Sequence, residues 1–118
     1  MQHRFGYQKL EVFQAAKAAV AVSARHRDYF RGLPGELAPQ LERALLSVVN
    51  NIVEGAGRVS AADQRRHYQI ARGSATEAAG CVEIVSLYGT VPASVEDELS
   101  GLLFRVVQML SVMCRKRE

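Results

Sequence analysis

Six polar residues at helical spacing carry the strongest hint of chemistry in this chain of 118 residues. From Gln40 to Arg58 it reads QLERALLSVVNNIVEGAGR. At about 100° per residue, Gln40, Arg43, Ser47, Asn51, Glu54 and Arg58 fall within an arc roughly 80° wide. Short amides, hydroxyls and single charges in one ordered file differ from the mixed Lys and Glu of a solvated face. Such an arc suits a partly buried hydrogen-bond network, closed on itself or by Glu77 of a neighbouring subunit, because an unmatched buried polar group costs about 1–3 kcal/mol. It also suits the lining of a groove or ring lumen that touches a ligand. The structural reading is preferred, and on it Arg43→Ala weakens assembly.

A second constellation is basic. Arg58, Arg65, Arg66 and Arg72 surround the start of one helix, against Asp63 alone. Arg65, Gln69, Arg72, Thr76 and Glu83 share a polar arc there, either a solvated face or a set of phosphate contacts. If the chain forms a ring, the patch repeats, and each added phosphate contact brings affinity and salt sensitivity. Tyr68 lies within reach and could stack on an unpaired base, although a half-buried packing role is preferred. The stretch Gly55-Ala56-Gly57-Arg58-Val59-Ser60 looks superficially like a phosphate loop. It follows a helix rather than a strand and lacks the Gly-Lys-Ser/Thr ending, so it reads as a helix end and turn.

Catalysis finds little footing. Glu54 and Glu77 could form a carboxylate pair, but Arg43 or Arg58 would neutralise them. No Ser or Cys stands beside a His with an orienting acid, so no enzyme and no cofactor are expected. His3, His26 and His67 are scattered without a carboxylate cluster, which argues against a metal. Cys81 and Cys114 have no CxxC spacing and fall at apolar positions, as buried, reduced thiols would.

The composition frames these sites. The length allows one domain with a real core, 1–118. Apolar residues make up 48% and charged residues 23%, which excludes general disorder. No apolar run is long enough to span a bilayer, and MQHRFGYQKLEVF at the start has no hydrophobic signal core. The cytoplasm is therefore the expected compartment, with no membrane partner. Net charge is only +3, but its distribution is uneven. Arg4, Lys9, Lys17, Arg25, Arg27 and Arg31 crowd the N-terminal quarter, Arg115, Lys116 and Arg117 end the chain, and the acids gather at Glu96, Asp97 and Glu98. That asymmetry permits a polyanionic partner.

The elements that must position these residues are four helices, about 7–29, 37–56, 61–88 and 95–115. In the first, Leu10, Phe13, Ala16, Ala19 and Val20 repeat at helical spacing, up to the break at Gly32, Pro34 and Gly35. In the second, Leu37, Leu41, Ala44, Leu45, Val48 and Ile52 form a core stripe, while Leu46, Val49 and Val53 make a further apolar sector. One packed neighbour cannot cover both, so self-association is expected. In the third, Ser60 and Asp63 form a capping pair. Its face runs through His67, Ala71, Ser74, Ala78, Cys81, Val82 and Val85, and Gly73 and Gly80 leave room for a close helix. Ser94 and Asp97 repeat the capping pair before Leu99, Leu102, Leu103, Val106, Met109, Leu110 and Met113. Short loops favour antiparallel neighbours, hence an all-α, up-down-up-down four-helix bundle.

The chain resembles the bacterial family of 23S ribosomal RNA intervening-sequence proteins over nearly its whole length. The likeness rests on Tyr7–Ala16 (YQKLEVFQAA), on Gln40-Leu41-x-Arg43-Ala44-x-x-Ser47 followed by Asn51-Ile52-x-Glu54-Gly55-x-x-Arg58, and on Ala71-Arg72-Gly73-Ser74-Ala75-Thr76-Glu77. It departs from the family pattern at Glu42, where a second arginine is common, and over Phe30–Gly35, which replaces a Phe-Pro approach. The resemblance implies a four-helix bundle assembled as a homopentameric ring. The family is named for where its genes lie and not for a reaction. A distant relative, the accessory protein of diversity-generating retroelements, looks like a similar pentameric bundle that binds nucleic acid through a basic surface. By that analogy the expected function is a non-enzymatic nucleic-acid-binding accessory factor, for RNA or DNA. The alternative is a structural scaffold that recruits a protein partner.

Overall fold

The computed structural model describes residues 5–118; His3 and Arg4, counted above among the histidines and N-terminal charges, lie outside them. Four helices, α1 (Glu11–Arg25), α2 (Leu37–Ala56), α3 (Ala61–Ser86) and α4 (Ala93–Arg115), form the fold. Each packs on the next and α4 closes against α1, the up-down-up-down order expected of short connections. No strand occurs among the described residues.

The expected first helix over 7–29 is interrupted at both ends. A 3₁₀ turn, Gly6–Lys9, precedes α1, and Leu10 between them is extended at φ −78° and ψ 127°. Tyr7 folds back edge-on to Phe13, ring centres 4.8 Å apart. The Gln14 amide holds the turn by donating to the Gln8 carbonyl at 3.0 Å. At the other end, His26 breaks the helix at φ −111° and ψ 23°, and a second 3₁₀ turn, Arg27–Phe30, buries Phe30. The first break lets Tyr7 pack on Phe13 within its own segment and the second buries Phe30 in the common core, and helical periodicity registers neither.

Helix α2 spans the residues expected of it. Its core face is Leu41, Ala44, Leu45, Val48, Ile52 and Gly55, while Leu46 remains 47% exposed. Ser60 caps α3 as anticipated, its hydroxyl accepting from the Asp63 N–H at 3.1 Å. Gly89 turns the chain after α3 at φ 68°, a left-handed conformation open to glycine. The expected Ser94 cap does not form. Helix α4 starts at Ala93 with Pro92 as its cap residue, and the Pro92 carbonyl accepts from the N–H groups of Val95 and Glu96. Proline's fixed φ already suits a helix start, which leaves Ser94 exposed in the first turn.

The close approach anticipated at Gly73 and Gly80 does not occur among the described residues: a Cβ at either would meet nothing within 4 Å. Close packing of α3 comes instead from Ala71, Ala75 and Ala78, all fully buried. Against them lie Val48 and Ile52 of α2 and Leu99, Leu103, Val106 and Leu110 of α4, in one continuous core.

Candidate functional site

The polar arc of α2 and the cap of α3 meet along one seam. Ser47 Oγ lies 2.8 Å from Ser74 Oγ. The Asn51 amide donates to the Ser47 carbonyl at 2.9 Å and reaches Ser47 Oγ at 3.3 Å. Its Oδ1 stands 3.2 Å from His67 Nδ1, and Arg66 Nη2 stands 3.1 Å from His67 Nε2. A guanidinium can only donate, so Nε2 accepts and the proton sits on Nδ1, which donates to Asn51. Every bond then has one donor and one acceptor. Below it, Gly55 abuts the buried Tyr68 so closely that a Cβ there would fall 2.6 Å from Tyr68 Cε1.

This network holds only part of what the sequence grouped. Ser47 and Asn51 belong to it. Arg43 instead faces the Glu36 carboxylate at 3.7 Å with both side chains largely exposed, and Glu54 pairs with Arg58 at 2.9 Å. Gln40 and Glu77 are exposed and have no side-chain partner among the described residues. Glu54 and Glu77 form no carboxylate pair. The Ser47–Ser74 and Asn51–His67 contacts fix the register, which sets Glu77 level with Arg43 and Ala44, about 15 Å along the seam from Glu54. His67 and Ser74 enter the network from α3, where sequence reading had placed them on the core stripe. Two polar residues seven apart in an apolar file were the available signal of a polar partner on the facing helix.

The four candidate arginines divide between two sides of α3. Arg58 and Arg66 lie toward α2, through Glu54 and His67. Arg65 and Arg72 lie toward α4: Arg65 Nε donates to the Cys114 carbonyl at 3.3 Å with Glu118 3.8 Å away, and Arg72 Nε donates to Ser111 Oγ at 2.7 Å. Arg117, read from sequence only as part of the basic C-terminal run, donates to Gln64 Oε1 at 2.8 Å and the Met113 carbonyl at 2.9 Å. Its guanidinium sits 5.0 Å from the centre of the Tyr68 ring. Arg65 and Arg117 thus complete the carbonyl end of α4, where positive charge is favoured. Arg66, Arg115 and Lys116 are exposed and in no ion pair among the described residues.

Tyr68 is 2% exposed, which corrects the half-buried expectation and removes it as a stacking platform. Burial raises its phenol above the ordinary 10.0, and Arg117 partly offsets that. The Cys114 thiol is buried and Cys81 half-buried. Burial raises both thiols above 9.0, which makes them poor nucleophiles at neutral pH. The Gly55–Ser60 stretch closes as a turn. Gly55 is buried in α2, Gly57 caps it, and the Ser60 hydroxyl is already engaged by Asp63.

The class defined so far is a four-helix bundle with one hydrogen-bonded polar seam and a basic end. The chain belongs to the family of 23S rRNA-intervening sequence proteins, which it matches over residues 8–112. No curated protein matches it. The family matches the one its motifs suggested. No helix among the described residues is long and apolar enough to cross a membrane.

Proposed function

We propose that this protein is a non-enzymatic, self-associating accessory factor of the cytoplasm that binds RNA or DNA through phosphate contacts at one end of its bundle. The observation that carries the reading is the clustering of charge. Where α2 stops, α3 starts and α4 ends, Arg58, Arg65, Arg66, Arg115, Lys116 and Arg117 come together against few acids, and three of them face solvent without a carboxylate. Arg72 lies farther along α3 and adds to the same field. Such an end reads the backbone and not the bases, because Tyr68 is buried.

Self-association is supported along the outer α2–α3 face, where Gln40 and Glu77 lack side-chain partners among the described residues and Ile70 and Ile84 are 43% and 46% exposed. A ring of subunits, pentameric as the resemblance implies, would present several basic ends together and multiply weak phosphate contacts. The second reading, a protein-binding scaffold, draws on the exposed Leu87 and Tyr88 at the far end.

Charge reversal at the two ends separates these readings. Arg66→Glu with Lys116→Glu should abolish gel retardation of a labelled RNA hairpin or DNA duplex, while Arg27→Glu with Arg31→Glu at the far end leaves it intact. Equal loss at both ends would mean non-specific charge attraction and count against the site.

A further inference from the structure

We infer that the outer face of α3 and α4 pairs with the same face of a second copy, antiparallel, about a two-fold axis lying across the two helices. This contact is separate from the α2–α3 face and does not depend on nucleic-acid binding.

The face is graded in charge from end to end. Toward the basic end, Arg72 and Arg115 line a hollow of about 390 Å³ with Gln69 and Ser111. Toward the other end, Glu83, Glu96 and Asp97 line a groove of about 560 Å³. None of these charged side chains belongs to an ion pair among the described residues. Phe104 stands between the two regions on the groove wall, 63% exposed.

A basic peptide from another protein would satisfy the acidic groove and leave Arg72 and Arg115 unmatched. A second copy turned end over end satisfies both, and the register of the helices permits it. On α3, the midpoint of Arg72 and Glu83 lies between Glu77 and Ala78. On α4, the midpoint of Asp97 and Arg115 is Val106. The Arg72–Ser111 hydrogen bond sets the level of one helix against the other. Five residues along from it, the chain reaches Glu77 on α3 and Val106 on α4. The two midpoints are therefore level to within a residue, about 1.5 Å, so a single axis places Arg72 opposite Glu83 and Arg115 opposite Asp97 at once. Self-complementarity of this kind is what an isologous interface requires. Phe104 falls close to the axis, where two exposed rings would be covered together. Next to Asp97, Glu96 Oε2 is buried without a hydrogen-bond partner, and the incoming Arg115 would supply the missing donor.

The test is sedimentation of the full chain over a concentration series at low salt, with Arg72→Glu, Glu83→Arg and the double swap Arg72→Glu/Glu83→Arg. The account predicts a concentration-dependent doubling of mass, of the monomer or of any ring the chain forms. Each single reversal should weaken it roughly tenfold or more, since every pair occurs twice across the axis, and the double swap should restore it. Phe104→Asp should weaken it comparably, with helical circular dichroism unchanged. No doubling near millimolar concentration, doubling insensitive to the single reversals, or a double swap that fails to restore it would each overturn the pairing. The last outcome, together with saturable binding of an arginine-rich peptide to the wild type, would give the groove to a different basic partner.

Discussion

Along the α2–α3 seam, the polar groups that leave the surface meet a partner from the facing helix, Ser47 with Ser74 and Asn51 with His67, and His67 is engaged in turn by its neighbour Arg66. Along the α3–α4 seam the basic half is anchored by Arg65 on the Cys114 carbonyl and Arg72 on Ser111. The acidic half, Glu83, Glu96 and Asp97, opens into a groove. One helix thus makes a closed seam with one neighbour and an open seam with the other. A closed network of small polar groups fixes the register of two helices, and only the exposed Arg66 guanidinium at its edge is left to meet a ligand. Charges without partners on an exposed seam are stable in water and remain available for recognition. Function is to be sought in the open seam and the basic end, and stability in the closed seam.

The largest effect expected from breaking that contrast lies at the foot of the closed seam. Tyr68→Ala should cost about 3–5 kcal/mol in denaturant unfolding, as truncation of a buried aromatic does. Gly55→Ala should cost about 1–3 kcal/mol by overpacking against the Tyr68 ring, despite the better helix propensity of alanine. If Gly55→Ala proved stabilising, the contact with Tyr68 would not be as tight as described.

Next comes Asn51→Ala, which leaves the His67 Nδ1 proton without an acceptor in a buried site and should lower stability by about 1–3 kcal/mol. Arg43→Ala should cost less than about 1 kcal/mol within one subunit, because its ion pair with Glu36 is exposed. A larger loss that appears only at concentrations where the protein associates would place Arg43 at a subunit contact.

On the outer surface of α3 the sign should reverse. Gly73→Ala and Gly80→Ala face open space and should each add up to about 1 kcal/mol of stability through helix propensity, seen as a raised Tm. A raised Tm with weakened self-association would sharpen the comparison by making these glycines a site of approach for another chain.

The smallest effect is alkaline. Burial holds the Tyr68 phenol above 10.0 and the thiols of Cys81 and Cys114 above 9.0. The folded state therefore disfavours ionisation. Stability from these groups is complete below those ordinary values and is lost as pH rises from 9 and 10 toward the raised ones, because the unfolded chain ionises first. Urea titrations should show a decline setting in above pH 9. Tyr68→Phe should remove the part of it that begins near pH 10 and leave the rest.

Much of the architecture was legible in the sequence, because long helices with apolar files announce themselves by period alone. The limits of α2, the Ser60 cap and the four-helix order could be read that way. What escaped reading lies outside helical periodicity, some of it local and some of it between residues far apart in the chain. The breaks around α1 follow from where Tyr7 and Phe30 pack, and Pro92 pre-empted the Ser94 cap through its fixed φ. The polar arc was visible as an arc, yet which members join needed the facing helix. Ser47 and Asn51 found His67 and Ser74, whereas Gln40 and Glu77 found no side-chain partner among the described residues. The four arginines looked like one patch because they are close in sequence; on a helix, Arg65 and Arg66 point about 100° apart, which divides the patch between two seams.

The most direct measurement is fluorescence anisotropy of a labelled structured RNA and a DNA duplex, titrated with wild type and with Arg58→Glu/Arg66→Glu across a salt series. The account predicts saturable binding whose logarithm falls linearly with the logarithm of salt concentration. In the variant that slope should be shallower on the duplex by about 0.9 for each phosphate contact removed. An absence of saturable binding at low salt by protein that sediments as an intact assembly would contradict it.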